Sequence, residues 1–557
     1  MNDSGFRSMH MHRSQAKEKA MKMIAIAACV VGAVAATAAD SAWAAAKTLC
    51  VSSKPACYST IQAALDAAHD GDTVAIAQGG FAGGVTVDVS VNIVGAGAGA
   101  TTIKGGGPVL TIGIVGAPTE PTVSITGVTI TGGVTTSTLT HDGPTTSVAA
   151  GGGIYIPGSA GGVGATVTIR NSVITGNRAT PSSTVDSGEP CGSANCPFAQ
   201  GQGGGIADVG RLTLINTTVS NNMAGGALAS DATGGGIWTA TNGGAGALTL
   251  TNSTVSGNSA SVSAPNGRAA EGGGIEVQDG ETFTVTNSVI SNNTASVSSS
   301  YPSGVGMNAD AGGIHVGGGG SATIVGSRIT GNVASAKDPA SEPVAFASGL
   351  GVGLSDCVCG QTLVLRDSVI GGNRTIATGG AFALAASAAE IDTPAAISNT
   401  AITGNNIAAT SAAGDAAAGG AVFTFDGESQ PIVVRNSVVS GNTAKASTPT
   451  GSATVGGAGI NNGGSLELQN VLVTDNSATA TGQSGHANGG GIWNGTPFAP
   501  DGPTPHLVLE NTLVTRNALS ASPGLTVQGG GVYTPGFPIT LTNSAITHNT
   551  PDQCFGC

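Results

Sequence analysis

The chain has 557 residues, including 91 Gly and 24 Pro, and 9% of them are charged, against roughly a quarter in an ordinary globular domain. Its formal net charge of −13 disfavours nucleic acid and anionic membrane surfaces as partners. No Gly-X-Y triplet runs through the sequence, which excludes collagen, and no apolar stretch after residue 46 is long enough to span a membrane.

The N-terminus has the pattern of a secretory signal peptide covering residues 1–44. Basic residues within positions 7–22 precede an apolar run at 23–39 and the small-residue site Ala42-Trp43-Ala44. An alternative lipoprotein signal is offered by Ile26-Ala27-Ala28-Cys29, although the apolar run continues past this motif. We therefore expect a secreted protein, extracellular or associated with the cell surface, with no transmembrane segment after cleavage.

The eight cysteines beyond the signal peptide lie in four close pairs, which in an exported chain predicts short-range disulfides. Eight cysteines allow 105 connectivities, and a bridge between Cys357 and Cys359 would be strained, so that pairing stays open. Zinc binding would need clustered ligands, which separated pairs do not supply. No metal or cofactor is predicted. The pairs are Cys50 with Cys57, Cys191 with Cys196, Cys357 with Cys359, and Cys554 with Cys557.

Residues 45–110 differ from the rest and are predicted to form an N-terminal cap and the first coils. Ser59-Thr60-Ile61-Gln62 has the form of a helix N-terminus, and Ile61, Leu65 and Ala68 share one face of a short helix that ends before Gly71. Alternating strands follow. A helix here would shield the exposed first edge of a stack of strands.

A seven-residue pattern then recurs eleven times, at spacings of 32 to 45 residues. Its fourth residue is always Ile or Val and its seventh is always Asn. Because Asn tolerates the left-handed backbone region and forms side-chain ladders, we interpret these Asn columns as structural. The copies begin at Asn171, Asn216, Asn252, Asn287, Gly326, Asp367, Asn399, Asn436, Asn470, Asn511 and Asn543.

A Gly-Gly-Gly-Ile run or a variant of it precedes each copy, as at residues 151–154 and 234–237. Each unit thus offers three short runs of period two, which predicts three strands with apolar side chains inward. The variable segments between units, such as 179–201, are predicted to be loops at one corner. One unit cannot bury its apolar face alone, so the units must stack.

The sequence therefore predicts an all-β chain folded as a right-handed parallel β-helix solenoid of about twelve to fourteen coils, with a short N-terminal capping helix. The repeats occupy residues 111–549, and residues 550–557 form a cysteine-containing tail. Val255, Ile290 and Ile329 should stack inward on successive coils.

The residues also resemble known families. The segment from Thr60 to Ala68, with Gly71-Asp72-Thr73-Val74 after it, resembles the N-terminal segment of pectin-lyase-like β-helix proteins. The Gly-Gly-x-Ile and terminal-Asn repeats are similar to those of bacterial right-handed β-helix repeat proteins, and more distantly to chlamydial polymorphic outer-membrane proteins. The first resemblance implies the fold, and the chlamydial one implies adhesion.

The pectin-lyase-like superfamily includes polysaccharide lyases and hydrolases, but their motifs are missing. Asn-Thr-Asp, Gly-His-Gly and Arg-Ile-Lys motifs of polygalacturonases do not occur, and neither does the Arg-x-Pro-x-x-Arg motif of pectate lyases. The nearest match to the Gly-His-Gly motif is Gly485-His486-Ala487. The RTX calcium nonapeptide is also absent, and no acidic cluster across three coils is evident.

One column of the repeat, the residue after the Gly-Gly-Gly-Ile run, is unusually aromatic. Alternation predicts that it points outward, where rings could stack on sugars, although rings could equally cover neighbouring loops. Glu276 and His315 lie in this column on consecutive units and are the weak acid/base candidates. The column is Tyr155, Ala207, Trp238, Glu276, His315, Gly353, Ala383, Phe423, Asn461, Trp493 and Tyr533.

We therefore predict a non-catalytic, adhesin-like or glycan-binding protein whose partner is an extracellular or cell-surface polysaccharide, with Tyr155, Trp238, Phe423, Trp493 and Tyr533 as ligand-binding residues. The alternative is a polysaccharide lyase or glycoside hydrolase. Three or more charged residues gathered in one groove would favour the enzyme.

Overall fold

A computed structural model describes residues 45–136, 147–160, 162–181, 199–241, 246–264, 267–298, 307–340, 342–353, 361–424, 431–495 and 504–557. Ala46–Cys557 form one compact unit. The predicted signal peptide and the cysteines at 191, 196, 357 and 359 lie outside the described residues.

The described chain consists almost entirely of short strands in five parallel sheets. From residue 134 to residue 533 the chain visits sheets 1 to 5 in order and then moves up to the next coil, whereas the earlier coils and the last coil use only sheets 1, 2 and 5. Strands of one sheet are therefore supplied by successive coils, and all of their pairings are parallel, as between Thr166–Arg170 and Arg211–Ile215. This is a parallel β-helix, as predicted.

Sheet 1 has fifteen strands. They are Thr48–Val51, Thr73–Ile76, Asn92–Gly95, Thr122–Thr126, Thr166–Arg170, Arg211–Ile215, Ala247–Thr251, Thr282–Thr286, Ser321–Val325, Leu363–Arg366, Ala395–Ser398, Ile432–Arg435, Ser465–Gln469, His506–Glu510 and Ile539–Thr542. Sheet 2 has fourteen strands. They are Gly79–Ala82, Thr101–Lys104, Thr129–Thr131, Val173–Thr175, Thr218–Ser220, Thr254–Ser256, Val289–Ser291, Arg328–Thr330, Val369–Gly371, Ala401–Thr403, Val438–Ser440, Leu472–Thr474, Leu513–Thr515 and Ala545–Thr547.

Sheets 3 and 4 have eleven strands each. Sheet 3 comprises Val134–Thr135, Arg178–Ala179, Met223–Gly226, Ser259–Val262, Thr294–Ser298, Val333–Asp338, Arg374–Gly379, Asn406–Ser411, Thr443–Ser447, Ser477–Thr481 and Ala518–Ala521. Sheet 4 comprises Ser147–Ala150, Ala199–Gln202, Asp231–Thr233, Ala269–Glu271, Met307–Asp310, Pro343–Phe346, Phe382–Ala385, Asp415–Ala418, Ser452–Gly456, Ser484–Asn488 and Thr526–Gln528.

Sheet 5 has fourteen strands and carries the candidate site residues. They are Val85–Val87, Leu110–Ile112, Ile154–Ile156, Ile206–Asp208, Ile237–Thr239, Ile275–Val277, Ile314–Val316, Leu350–Val352, Ala389–Ile391, Val422–Thr424, Ile460–Asn462, Ile492–Asn494, Val532–Tyr533 and Cys554–Phe555. The last strand lies within the predicted tail, 550–557, and pairs with Val532–Tyr533.

The structure differs from the sequence prediction in having five strands per full coil instead of three. Sheets 3 and 4 are built from the segments that were predicted to be loops. In Thr294–Ser298, Ala295 and Val297 point inward and are buried while their neighbours are half-buried or exposed. Because the inward residues of these sheets are mostly alanine, they produce too little hydrophobic contrast to stand out as a period-two pattern.

The predicted core register is confirmed. Val255 pairs with Ile290, and Ile290 pairs with Ile329, on successive strands of sheet 2. All three side chains are fully buried. The same inward stacking continues through the helix and forms one continuous apolar core.

The Asn columns are structural, as predicted. The residues that begin the copies have left-handed backbone, for example Asn171 at φ 48° and Gly326 at φ 60°. The terminal Asn residues form a buried ladder along the stack. Asn293 donates from Nδ2 to Asn332 Oδ1 at 3.0 Å and to the Val255 carbonyl oxygen at 3.0 Å. Each amide thus ties its own coil to the coils before and after it.

A single α-helix, Ile61–Asp66, is found among the described residues. Thr60 caps it by accepting a hydrogen bond from the Ala63 amide at 3.2 Å, and Ile61 and Leu65 are buried. The helix contacts the first strands of sheet 1. It ends at Asp66 because Ala67 serves as its C-cap. No helix in the described ranges is long and apolar enough to cross a bilayer.

Two of the four predicted cysteine pairs lie in the described chain, and both are disulfide-bonded. Cys50 bonds to Cys57 with a Cα–Cα distance of 4.9 Å. Cys554 bonds to Cys557 with a Cα–Cα distance of 6.0 Å. These bonds lie at opposite ends of the β-helix.

Candidate functional site

The predicted aromatic column is the middle position of the sheet 5 strands, but its register is wrong in two copies. The structure places Gly351 and Glu390 in the column, instead of Gly353 and Ala383. In these copies the Gly-Gly-Gly-Ile run has degenerated, so the sequence offers no sharp alignment point. As a result a buried acidic side chain, Glu390, enters the column beside Phe423.

The column side chains point away from the main core, as alternation predicts, yet most of them are not accessible. Tyr155, Trp238, Phe423 and Trp493 are each less than 10% exposed, and Tyr533 is half-buried. Strand alternation fixes only the direction of a side chain and carries no information about what packs over it.

Tyr155 and Trp238 belong to a small hydrophobic cluster separate from the main core, together with Ala150, Ala207 and Val209. Phe423 is similarly buried. The expected exposure of these three rings is therefore wrong, and their burial fits the alternative in which the rings cover neighbouring segments.

Trp493 and Tyr533 differ because they line a cleft near the C-terminal end of the helix. Its volume is about 350 Å³. Sheet 4 contributes His486 and Asn488 to the cleft, and Phe537 comes from the segment after the last-but-one strand of sheet 5. None of the described lining residues is Asp, Glu, Lys or Arg.

The rings in this cleft are held in a fixed array. Trp493 meets Tyr533 edge to face with ring centroids 5.7 Å apart, and it meets His486 at the same separation. Tyr533 stacks on Phe555 at 5.3 Å. The Trp493 ring lies directly over Gly456, where a Cβ atom would come within 1.5 Å of it. Glycine at this position therefore leaves room for the ring beside sheet 4.

The cleft is uncharged but contains an unsatisfied acceptor. Burial lowers the pKa of His486, so its imidazole is neutral at neutral pH. Asn488 is 4% exposed, and its side-chain oxygen is buried without a hydrogen-bond partner. A buried acceptor of this kind costs free energy unless a donor reaches it.

A second feature of sheet 5 is a cluster of titratable residues around Glu276 and His315. The two residues pair directly across adjacent strands, and His315 Nδ1 lies 2.8 Å from Glu276 Oε1. Asp310 Oδ2 lies 4.0 Å from His315 Nε2. Glu271 precedes the glycine turn of the Glu276 coil and pairs with Asp310 on the next coil.

Burial and mutual charge strongly shift the proton affinities in this cluster. Burial would lower the pKa of His315, but the carboxylates of Glu276 and Asp310 outweigh it and raise that pKa to about 10. Burial, with Glu276 next, raises the pKa of Glu271 to about 7. Burial raises the pKa of Asp310 to about 6 and that of Glu390 well above its usual range.

Sequence reasoning found Glu276 and His315 but missed Glu271, Asp310 and Glu390. A signal was present for two of them, because Glu271 and Asp310 occupy the same position before the glycine run of their coils. The expectation that no acidic cluster spans three coils was wrong. Its charged residues are buried rather than lining a groove, since Glu276 is 0% and His315 7% exposed.

Comparison with known proteins identifies the fold. The family described as right handed beta helix region matches residues 119–329. This match agrees with the right-handed parallel β-helix fold of the described chain. No curated protein matched the sequence of this β-helix.

Two solved structures resemble the β-helix. One is the A-module of the Azotobacter vinelandii mannuronan C-5 epimerase AlgE6, with 16% identity, a TM-score of 0.36, and coverage of 85% of this chain and 94% of that chain. The other is the A-module of the epimerase AlgE4 from the same organism, with 13% identity, a TM-score of 0.30, and coverage of 89% and 96%. At these identities the likeness concerns the fold alone.

Proposed function

We propose that this β-helix is an exported, non-catalytic glycan-binding protein, and that it holds a neutral sugar in the cleft lined by Trp493, Tyr533 and Phe537. The observation that carries the proposal is a cleft lined both by aromatic rings and by Asn488, whose side-chain oxygen has no hydrogen-bond partner. A sugar offers apolar C–H faces for the rings and hydroxyl donors for such an acceptor.

The charge of the cleft narrows the ligand class. An acidic polysaccharide would bring carboxylates that need basic partners, and the described lining residues include no Lys or Arg. Because burial also keeps His486 neutral, a carboxylate entering the cleft would lose hydration without an ion pair in return. Neutral hexose or pentose polymers fit the cleft better.

The alternative function, a polysaccharide lyase or hydrolase, would use Glu276 and His315. Their 2.8 Å contact favours proton transfer between them. Both side chains are nearly inaccessible, however, and a polymer chain must reach its catalytic groups. The accessible cleft is about five coils away, or about 24 Å at the usual strand spacing.

The test is binding of the purified protein to a panel of neutral and uronate oligosaccharides by calorimetry, with product release measured in the same samples. Phe537→Ala and Asn488→Leu should each weaken binding of neutral oligosaccharides by about tenfold, which is about 1.4 kcal/mol. Phe423→Leu, in the same column but outside the cleft, is the matched control and should bind normally.

Two outcomes would reject the proposal. One is glycan binding that neither cleft variant changes. The other is the appearance of shortened or unsaturated sugars that Glu276→Gln abolishes, which would establish the enzyme. Melting temperatures of all variants should be recorded, because Asn488 is buried and its replacement must leave the fold intact.

A further inference from the structure

We propose that Glu271, Glu276 and His315 bind one divalent transition-metal ion, with Asp310 and Glu390 adding negative charge around it. This site is separate from the glycan cleft and independent of the proposed function. It joins two consecutive coils, since Glu271 and Glu276 flank one glycine turn and His315 follows the next.

The geometry of the three side chains suits a single ion. One carboxylate oxygen each from Glu271 and Glu276 and one ring nitrogen of His315 lie within 4.8 Å of one another. Metal–oxygen and metal–nitrogen bonds are about 2.0–2.2 Å long, so opposite ligands of one ion lie about 4 Å apart. Small side-chain movements would therefore bring all three atoms onto the ion.

Unsatisfied atoms give an independent reason to expect a cation. Glu276 is fully buried, and its Oε1 interacts with Gln278 Nε2 at 3.0 Å and with His315 Nδ1 at 2.8 Å. Its Oε2, by contrast, has no hydrogen-bond partner, and neither does His315 Nε2. Gly272 leaves room for Oε2, because a Cβ atom there would approach it to 2.7 Å.

The charge of the cluster also favours a bound cation. The cluster brings together four carboxyl groups, those of Glu271, Glu276, Asp310 and Glu390, and one imidazole. A divalent ion would supply the missing positive charge at the centre of the carboxylates.

The ligand types indicate the class of ion. Imidazole nitrogen is a ligand for zinc and iron, whereas calcium sites are made of oxygen ligands. Mixed carboxylate and imidazole ligands therefore favour Zn²⁺, Mn²⁺ or Fe²⁺ over Ca²⁺. Gln278 would hold the Glu276 carboxylate in place through its 3.0 Å hydrogen bond.

The experiment uses untagged protein stripped with a chelator, followed by titration with ZnCl₂, MnCl₂ and CaCl₂. Bound metal is counted by mass spectrometry, affinity is measured by calorimetry, and melting is followed by circular dichroism. Glu271→Gln and His315→Gln are the test variants. Glu281→Gln is the control, because Glu281 is a buried glutamate outside the cluster that accepts a hydrogen bond from Thr239.

We expect one equivalent of Zn²⁺ or Mn²⁺, a higher melting temperature with metal, and weaker Ca²⁺ binding. Loss of a ligand should weaken affinity by at least about 100-fold, while Glu281→Gln should match the wild type. If His315→Gln fails to fold, metal binding by Glu271→Gln tests the proposal, because the Glu271 side chain is only half-buried and tolerates the exchange.

Two results would overturn the proposal. In the first, no ion binds and neither metal nor chelator changes the melting temperature, which would leave the cluster as an ion pair around a buried imidazolium. In the second, an ion binds but Glu271→Gln and Glu281→Gln hold it equally well, which would place the metal elsewhere. Neither result bears on glycan binding.

Discussion

Replacing Asn293 with alanine should destabilise the β-helix more than the loss of one small side chain suggests, because Asn293 lies in the middle of the asparagine ladder. Its Oδ1 accepts from the Asn258 backbone amide at 3.0 Å and from Asn258 Nδ2 at 2.9 Å. Its Nδ2 donates to the Asn332 side chain and to the Val255 carbonyl group. Alanine removes all four bonds.

The cost can be worked out from these contacts. The variant leaves the backbone N–H group of Asn258 buried without an acceptor, which costs about 1–3 kcal/mol of stability. The two hydrogen bonds donated by Asn293 contribute about 0.5–1.5 kcal/mol each. The sum is a loss of about 2–6 kcal/mol in the free energy of unfolding, concentrated in the coils that contact residue 293.

Guanidinium unfolding followed by far-ultraviolet circular dichroism measures the overall loss, and hydrogen exchange measures it locally. The Asn258 amide should exchange at least about tenfold faster in Asn293→Ala. The control is Asn406→Ala, an exposed asparagine in sheet 3, which should change stability by less than about 0.5 kcal/mol. Equal stability of the two variants would refute the ladder as a source of stability.

Two further predictions follow from other groups. Burial raises the pKa of Glu281 to about 8 from its ordinary value of 4.5. Because this carboxyl group ionises at lower pH in the unfolded chain, the free energy of unfolding should fall as pH rises from about 4.5 to about 8. Melting temperatures measured across this pH range should fall less steeply in Glu281→Gln. Peptide mapping of the unreduced protein should recover Cys50 linked to Cys57 and Cys554 linked to Cys557, and free thiols at these four positions would contradict the structure.

Much of the fold was already present in the sequence, because the repeat imposes the same constraints on every coil. Inward residues such as Ile290 must be apolar, and turn residues such as Asn287 must tolerate positive φ. These are local requirements that recur with each unit. They allowed the strands of sheets 1, 2 and 5, the core register and the Asn ladder to be predicted without coordinates.

Sheets 3 and 4 were less visible because their inward side chains are small. Ala260 and Ala295 stack on successive strands of sheet 3 and are fully buried. Alanine buries little surface, so it contributes weakly to a hydrophobic period even where it is inside. The sequence consequently suggested loops where the chain continues around the coil.

The candidate sites depended on tertiary structure for a different reason. The sequence by itself determined that Trp238, Glu276, His315 and Trp493 face away from the core, because strand alternation is a local property. Only the folded chain decided which of them are covered, since burial depends on segments distant in sequence. It also decided that Glu271 and Asp310 meet His315, because a charged cluster forms only when consecutive coils come into register.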